Sequence, residues 1–147
     1  MHLQFAPILG WSATLLVCAL AWAKGSAAER WGAAIVLVGS IVAALIQILM
    51  PAGPEAYALL LSEGLYSLAF LMLALRYTSP WLGAAMLLQA LQFGLHAFYI
   101  VAERRHDMTY GLVNNLNSIG VLLCILFGIF AAVRRRAKVA NSSGPAK

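Results

Sequence analysis

Charge is scarce in this sequence. Asp, Glu, Lys and Arg make up 10% of its 147 residues, against about 25% in an ordinary soluble domain, so water is excluded as the solvent of most of its surface. Cysteine is nearly absent too. Cys18 and Cys124 both fall inside apolar runs, without CxxC spacing or neighbouring histidines, which rules out a disulfide framework and a redox pair and leaves two small core residues. No phosphate loop, GxGxxG, HExxH or GxSxG occurs, and no histidine pair at helical spacing could hold haem or a metal. His2 and His106 are terminal or in a loop, so His96 is the sole imidazole within an apolar segment. With no nucleophile turn and no oxyanion hole, the sequence calls for no enzyme, no cofactor and no metal.

What is abundant is hydrocarbon: 63% of the residues are hydrophobic. They gather in five runs over residues 5–23, 31–50, 56–75, 81–102 and 108–133, each near the ~20 residues that cross a bilayer core. Short punctuation separates them: "KGSAAER", "PAGPE", "RYTSP" and "ERRHD". The expectation is an all-α, polytopic transmembrane bundle of five helices with short loops and no soluble domain. "AWA" at Ala21 to Ala23 has the small-x-small look of a signal-peptide cleavage site. No Lys or Arg precedes that apolar run, however, and the first segment is taken as a span. The basic stretch over residues 134–147 has no apolar face and is expected to be a disordered cytoplasmic tail.

Orientation follows from the basic residues. With the N-terminus outside, the inner face collects Lys24, Arg30, Arg76, Arg134, Arg135, Arg136, Lys138 and Lys147, eight in all, while the outer face has only Arg104 and Arg105. Arg134, Arg135, Arg136 and Lys138 then serve as a topology anchor beside anionic head groups, and nucleic-acid binding is a poor reading of that charge. Trp22, Trp31, Tyr77 and Trp81 fall at the inner boundary, where interfacial aromatics belong.

The hydrophilic residues inside the spans converge in depth. Glu63 lies seven residues into the third run, about 10 Å, and His96 six residues from the end of the fourth, about 9 Å. Asn114 and Asn115 enter the fifth at a similar level, with Asn117 and Ser118 one turn further, and Gln47 adds an amide at the end of the second. Gln89, Gln92, His96, Tyr99 and Glu103 share one helical stripe; Asn114, Asn117, Ser118 and Val121 share another, with Asn115 set aside from it. An unpartnered polar group in hydrocarbon costs several kcal/mol. Glu63, His96, Gln89, Gln92, Asn114, Asn117 and Ser118 are therefore expected to meet in one cluster in the outer half of the bundle. Gly32, Gly39, Gly120 and Gly128 are expected to let helices approach closely, with Gly64 and Gly94 doing the same near the cluster.

Two uses of that cluster compete. As a helix-pairing network, Glu63 bonds to His96 and an Asn amide, and the chain is a non-enzymatic accessory, assembly or interaction subunit whose partners are the bilayer, other membrane subunits or a second copy. As a site, Glu63 and His96 handle a proton, cation or small polar ligand in a small transporter, channel or sensor. "ERWGAAIVLVGSIVAALI", the acid in the third run and "LRYTSPWLGAAMLLQALQFGLHA" together resemble a group of small multi-spanning inner-membrane proteins of alphaproteobacteria. The residues that carry the resemblance are Glu29, Arg30, Glu63, Arg76, Pro80, Trp81, Gln89, Gln92 and His96, while Thr78 and Ser79 stand where a bulky residue is commoner. The resemblance implies a bacterial inner-membrane location and brings no activity.

Overall fold

The computed structural model describes residues 5–51, 53–104 and 107–142. Five helices form, and there is no strand among the described residues: α1 (Phe5–Lys24), α2 (Ala27–Leu49), α3 (Pro54–Tyr77), α4 (Pro80–Val101) and α5 (Met108–Ser142). The chain is an all-α bundle, as expected. Four helices, α2 to α5, are long and apolar enough to cross a membrane, and the apolar part of α1, Ile8–Lys24, is shorter. Large side chains such as Ile48, Leu75, Leu87 and Phe127 point outward on the flanks, a surface that suits hydrocarbon and would aggregate in water. This is a membrane protein.

Local chemistry sets the boundaries. Pro54 and Pro80 open α3 and α4 at their first turns, where a missing N–H costs nothing. α3 ends on Thr78 and α4 just before Glu103, both in the left-handed region (φ 40° and 48°), and Gly53 takes φ 108° in the α2–α3 turn. The α1–α2 turn is only Gly25 and Ser26, shorter than "KGSAAER" implied. A Cβ on Gly25 would lie 2.4 Å from the Ala21 carbonyl oxygen, so only glycine fits there. Arg105, His106, Lys147 and the rest of the tail beyond Ser142 lie outside the described residues.

Successive helices alternate direction and close a ring in which α1 bridges α2 and α5. The end with the α1–α2 and α3–α4 turns is the tail end, and the opposite end, with the α2–α3 and α4–α5 turns, is the head end. Packing is tightest toward the tail. Trp81, expected at the interface, is instead 4% exposed and wedged between α2 and α5, whose Gly32 and Gly128 make room for its indole. A Cβ on Gly128 would lie 2.6 Å from Trp81 Nε1, and one on Gly32 2.9 Å from the ring. Gly39 receives the Tyr66 ring and Gly120 the Leu88 side chain in the same way. Gly64 faces Phe93 across a looser contact, whereas Gly94 meets nothing and has no packing role.

Glu29 ties this end together. It lies inside α2 and is 1% exposed, although hydropathy alone places it in a loop. Its carboxylate accepts the Ser26 N–H at 2.7 Å, the Ser26 hydroxyl, and the Trp81 Nε1–H at 3.1 Å. The first of these belongs to a capping box at the start of α2. The tail expected to be disordered is helical as far as Ser142. At about 52 Å, α5 outruns the ~30 Å hydrocarbon core, and Arg136 on its extension donates to Lys24 O at 3.3 Å and Gly25 O at 3.0 Å. A residue counted only as a charge anchor thus also caps α1, whose last carbonyls have no partner within the helix.

Alanine substitution separates packed glycines from idle ones. Gly128→Ala is expected to lower stability in mild detergent by about 1–3 kcal/mol, because the indole must move. Gly94→Ala should be neutral or gain up to about 1 kcal/mol from helix propensity. Thermal unfolding of the two variants checks this, and equal responses would contradict the wedge.

Candidate functional site

The hydrophilic stripe of α4 is buried as a unit: Gln89, Gln92, His96 and Tyr99 all face inward. It meets α5 in an antiparallel ladder. Gln92 Nε2 donates to Asn114 Oδ1, the Tyr110 hydroxyl meets His96 Nε2 at 2.8 Å, and the Tyr99 hydroxyl donates to Asp107 Oδ1 at 2.6 Å. His96 Nδ1 lies 3.0 Å from Gln92 O. A carbonyl can only accept, so Nδ1 carries the hydrogen and, in the neutral ring, Nε2 accepts from Tyr110. Edge contacts of the Tyr110 ring with His96 and Tyr99, centroids 5.4 and 5.0 Å apart, fix the same register. Glu103 does not extend the stripe, because α4 stops at Val101.

Between this ladder, α3 and α2 lies a cavity of about 630 Å³. Glu63, Ser62 and Tyr66 of α3 line it, with Gln89, Gln92 and His96 of α4 and Tyr110, Asn114 and Ser118 of α5. α2 supplies an apolar wall through Ala34, Val38 and Val42, with Ser40 and Gln47 as its polar members. Glu63 and His96 therefore do share one space, as their depths implied. The pairing expected between them does not form. His96 is held by Gln92 O and Tyr110, while Glu63 Oε2 is buried and accepts no hydrogen bond from the protein.

Glu63 is not alone in this. Gln92 Oε1, Ser67 Oγ and both amide atoms of Asn117 are also buried without a partner. Each such atom left without any partner costs about 1–3 kcal/mol. Asn117 is 4% exposed yet does not line the cavity with its neighbours. Ser118 lines the space, but its hydroxyl bonds back to Asn114 O at 3.0 Å. Asn115 points away and is exposed. Among the described residues, no three His, Cys, Asp or Glu side chains gather to hold a metal ion.

Some of these residues escape a reading of the sequence alone. Tyr110 sits one turn before Asn114 on the α5 stripe, but its aromatic ring disguises a polar member of the ladder. Glu29 was announced by Ser26-x-x-Glu29 ahead of an apolar run, the signature of a capping box. Asp107 reads as a neutralising charge beside Arg104 and Arg105. It proves to be the cap of α5, accepting the Tyr110 N–H at 2.9 Å as well as the Tyr99 hydroxyl.

No family model, curated protein or solved structure matches the chain. Its own geometry defines the class: an all-helical membrane protein with an amphipathic cavity that opens on the flank of the bundle at Trp31, Val38 and Leu65, one wall hydrophilic and one apolar.

The ladder's outermost member responds to acid. The Tyr99 hydroxyl, then the Tyr110 N–H, hold the Asp107 carboxyl below its ordinary value of 3.8. A carboxyl lowered by folding adds stability above the unfolded value and loses it as the pH falls through the folded one. Wild-type protein should therefore lose melting temperature below about pH 4 more steeply than Asp107→Asn. Parallel pH–stability curves for the two would contradict this role.

Proposed function

We propose that this protein is a small multi-pass protein of a bacterial inner membrane that binds a small polar or cationic solute in its bundle, as a transporter, channel or sensor does. In this reading five helices span the bilayer, the N-terminus and the head end lie on the periplasmic side, and the α5 extension lies in the cytoplasm. The basic residues support that orientation, eight toward the tail end against two at the head.

One observation carries the reading. A carboxylate oxygen, Glu63 Oε2, and an amide oxygen, Gln92 Oε1, are buried without partners on residues that line the same cavity. Buried acceptors left bare by the protein are satisfied by something that enters. No hydrogen bond among the described residues joins Glu63 of α3 to another helix, whereas α4 and α5 are joined by the Gln92–Asn114, His96–Tyr110 and Tyr99–Asp107 contacts. The acid is therefore better explained as a binding group than as an assembly contact of an accessory subunit.

Thiol accessibility tests the cavity directly. With Cys18 and Cys124 replaced by Ala, Gln89→Cys places a thiol on the cavity wall and Leu116→Cys places one on the lipid-facing flank. A water-soluble methanethiosulfonate reacts with thiolate, which forms in a hydrated site and not in hydrocarbon. In lipid vesicles, Gln89→Cys should be modified at least about tenfold faster than Leu116→Cys. Equal rates, or faster labelling of Leu116→Cys, would overturn the reading.

A further inference from the structure

We propose that the ligand is a protonated amine carrying an apolar body, with its ammonium group held by Glu63; this rests on reading the cavity as a ligand site. Charge is the first ground. Among the described residues, Glu63 and Glu55 line the cavity and no Lys or Arg does. An anion would meet two carboxylates there, and a cation is favoured by the same field.

Hydrogen-bonding capacity is the second ground. The bare atoms on residues that line the cavity are both acceptors: Glu63 Oε2 and Gln92 Oε1. Gln92 is 4% exposed, and its Nε2 is already committed to Asn114, so the amide presents its oxygen. A ligand that satisfies such a set must bring donors. An ammonium group brings up to three N–H donors and a charge in one compact head, whereas a neutral apolar ligand would leave every acceptor bare.

The third ground is the opposite wall. α2 offers Ala34, Val38 and Val42, and the rings of Trp31, Tyr66 and Tyr110 complete the lining. A bare metal ion would use none of this, but the apolar part of an organic cation fills it, and an aromatic face also attracts a cation within about 6 Å. The volume of about 630 Å³ lies within the ~300–1,000 Å³ of small-molecule sites. The same chemistry is offered by a free amine and by the amino head group of a lipid.

The full chain in phosphatidylcholine nanodiscs can be titrated by calorimetry with three matched probes: 2-phenylethylammonium, 2-phenylethanol and 3-phenylpropionate. The ammonium should bind at least about tenfold more tightly than the alcohol, and the carboxylate should bind most weakly. Glu63→Gln keeps the shape of the side chain and should bring ammonium and alcohol level, while Glu63→Asp keeps the preference; matching circular dichroism shows that both variants fold. Ammonium and alcohol binding equally to the wild type, or a preference that survives Glu63→Gln, would overturn the amine as ligand and leave the cavity reading in place. No binding by any probe would also overturn it, and labelling of Gln89→Cys then tells whether the cavity itself has failed. Once the preference is established, phosphatidylethanolamine in the nanodisc identifies the source: competition with the probe assigns the site to a lipid head group, and none assigns it to a free amine.

Discussion

Hydrocarbon cannot hydrogen-bond, and every polar group on these helices must be satisfied inside the bundle or at its ends. The two ends meet that constraint differently. At the tail end, donors and acceptors are matched: Glu29 takes the Ser26 and Trp81 donors, and Arg136 covers the last carbonyls of α1. At the head end, the α4–α5 ladder matches some groups, but Glu63, Gln92 and Ser67 each keep an oxygen that the protein leaves bare.

The difference is built from side-chain size. Gly32 and Gly128 admit the Trp81 indole, which draws α2, α4 and α5 together and fills the space between them. Toward the head end α2 carries mainly small and branched apolar residues that reach no hydrophilic partner, while α3, α4 and α5 turn their polar stripes inward. The result is a cavity with one wall of each kind. An amphipathic space of this sort does not stabilise a bundle, since both the lost packing and the bare acceptors count against it.

Much of this was legible from the residues in order. The apolar runs marked the helices, the three-or-four spacing marked the buried face of α4, and alternation of direction put Glu63 and His96 at one level. Spacing gives a face and a depth, but it does not say which neighbour a side chain meets. His96 was therefore matched to the acid rather than to Tyr110, whose ring counts as apolar in any hydropathy scale. Hydropathy also assigns charged residues to loops, which hid Glu29 inside α2 and made Trp81 look interfacial. The tail misled for a related reason. Arg, Lys and Ala are good helix formers, and once Arg136 anchors to the end of α1 a sequence without an apolar face can continue α5.

The account stands on a hydrated polar interior facing away from lipid. Nuclear magnetic resonance in nanodiscs, with magnetisation transferred from water or from acyl-chain protons to labelled side chains, measures this most directly. The side-chain amides of Gln89, Gln92 and Asn114 should receive magnetisation from water and the methyl groups of Leu116 and Leu123 from the acyl chains. Amides that receive it from acyl chains would contradict the account.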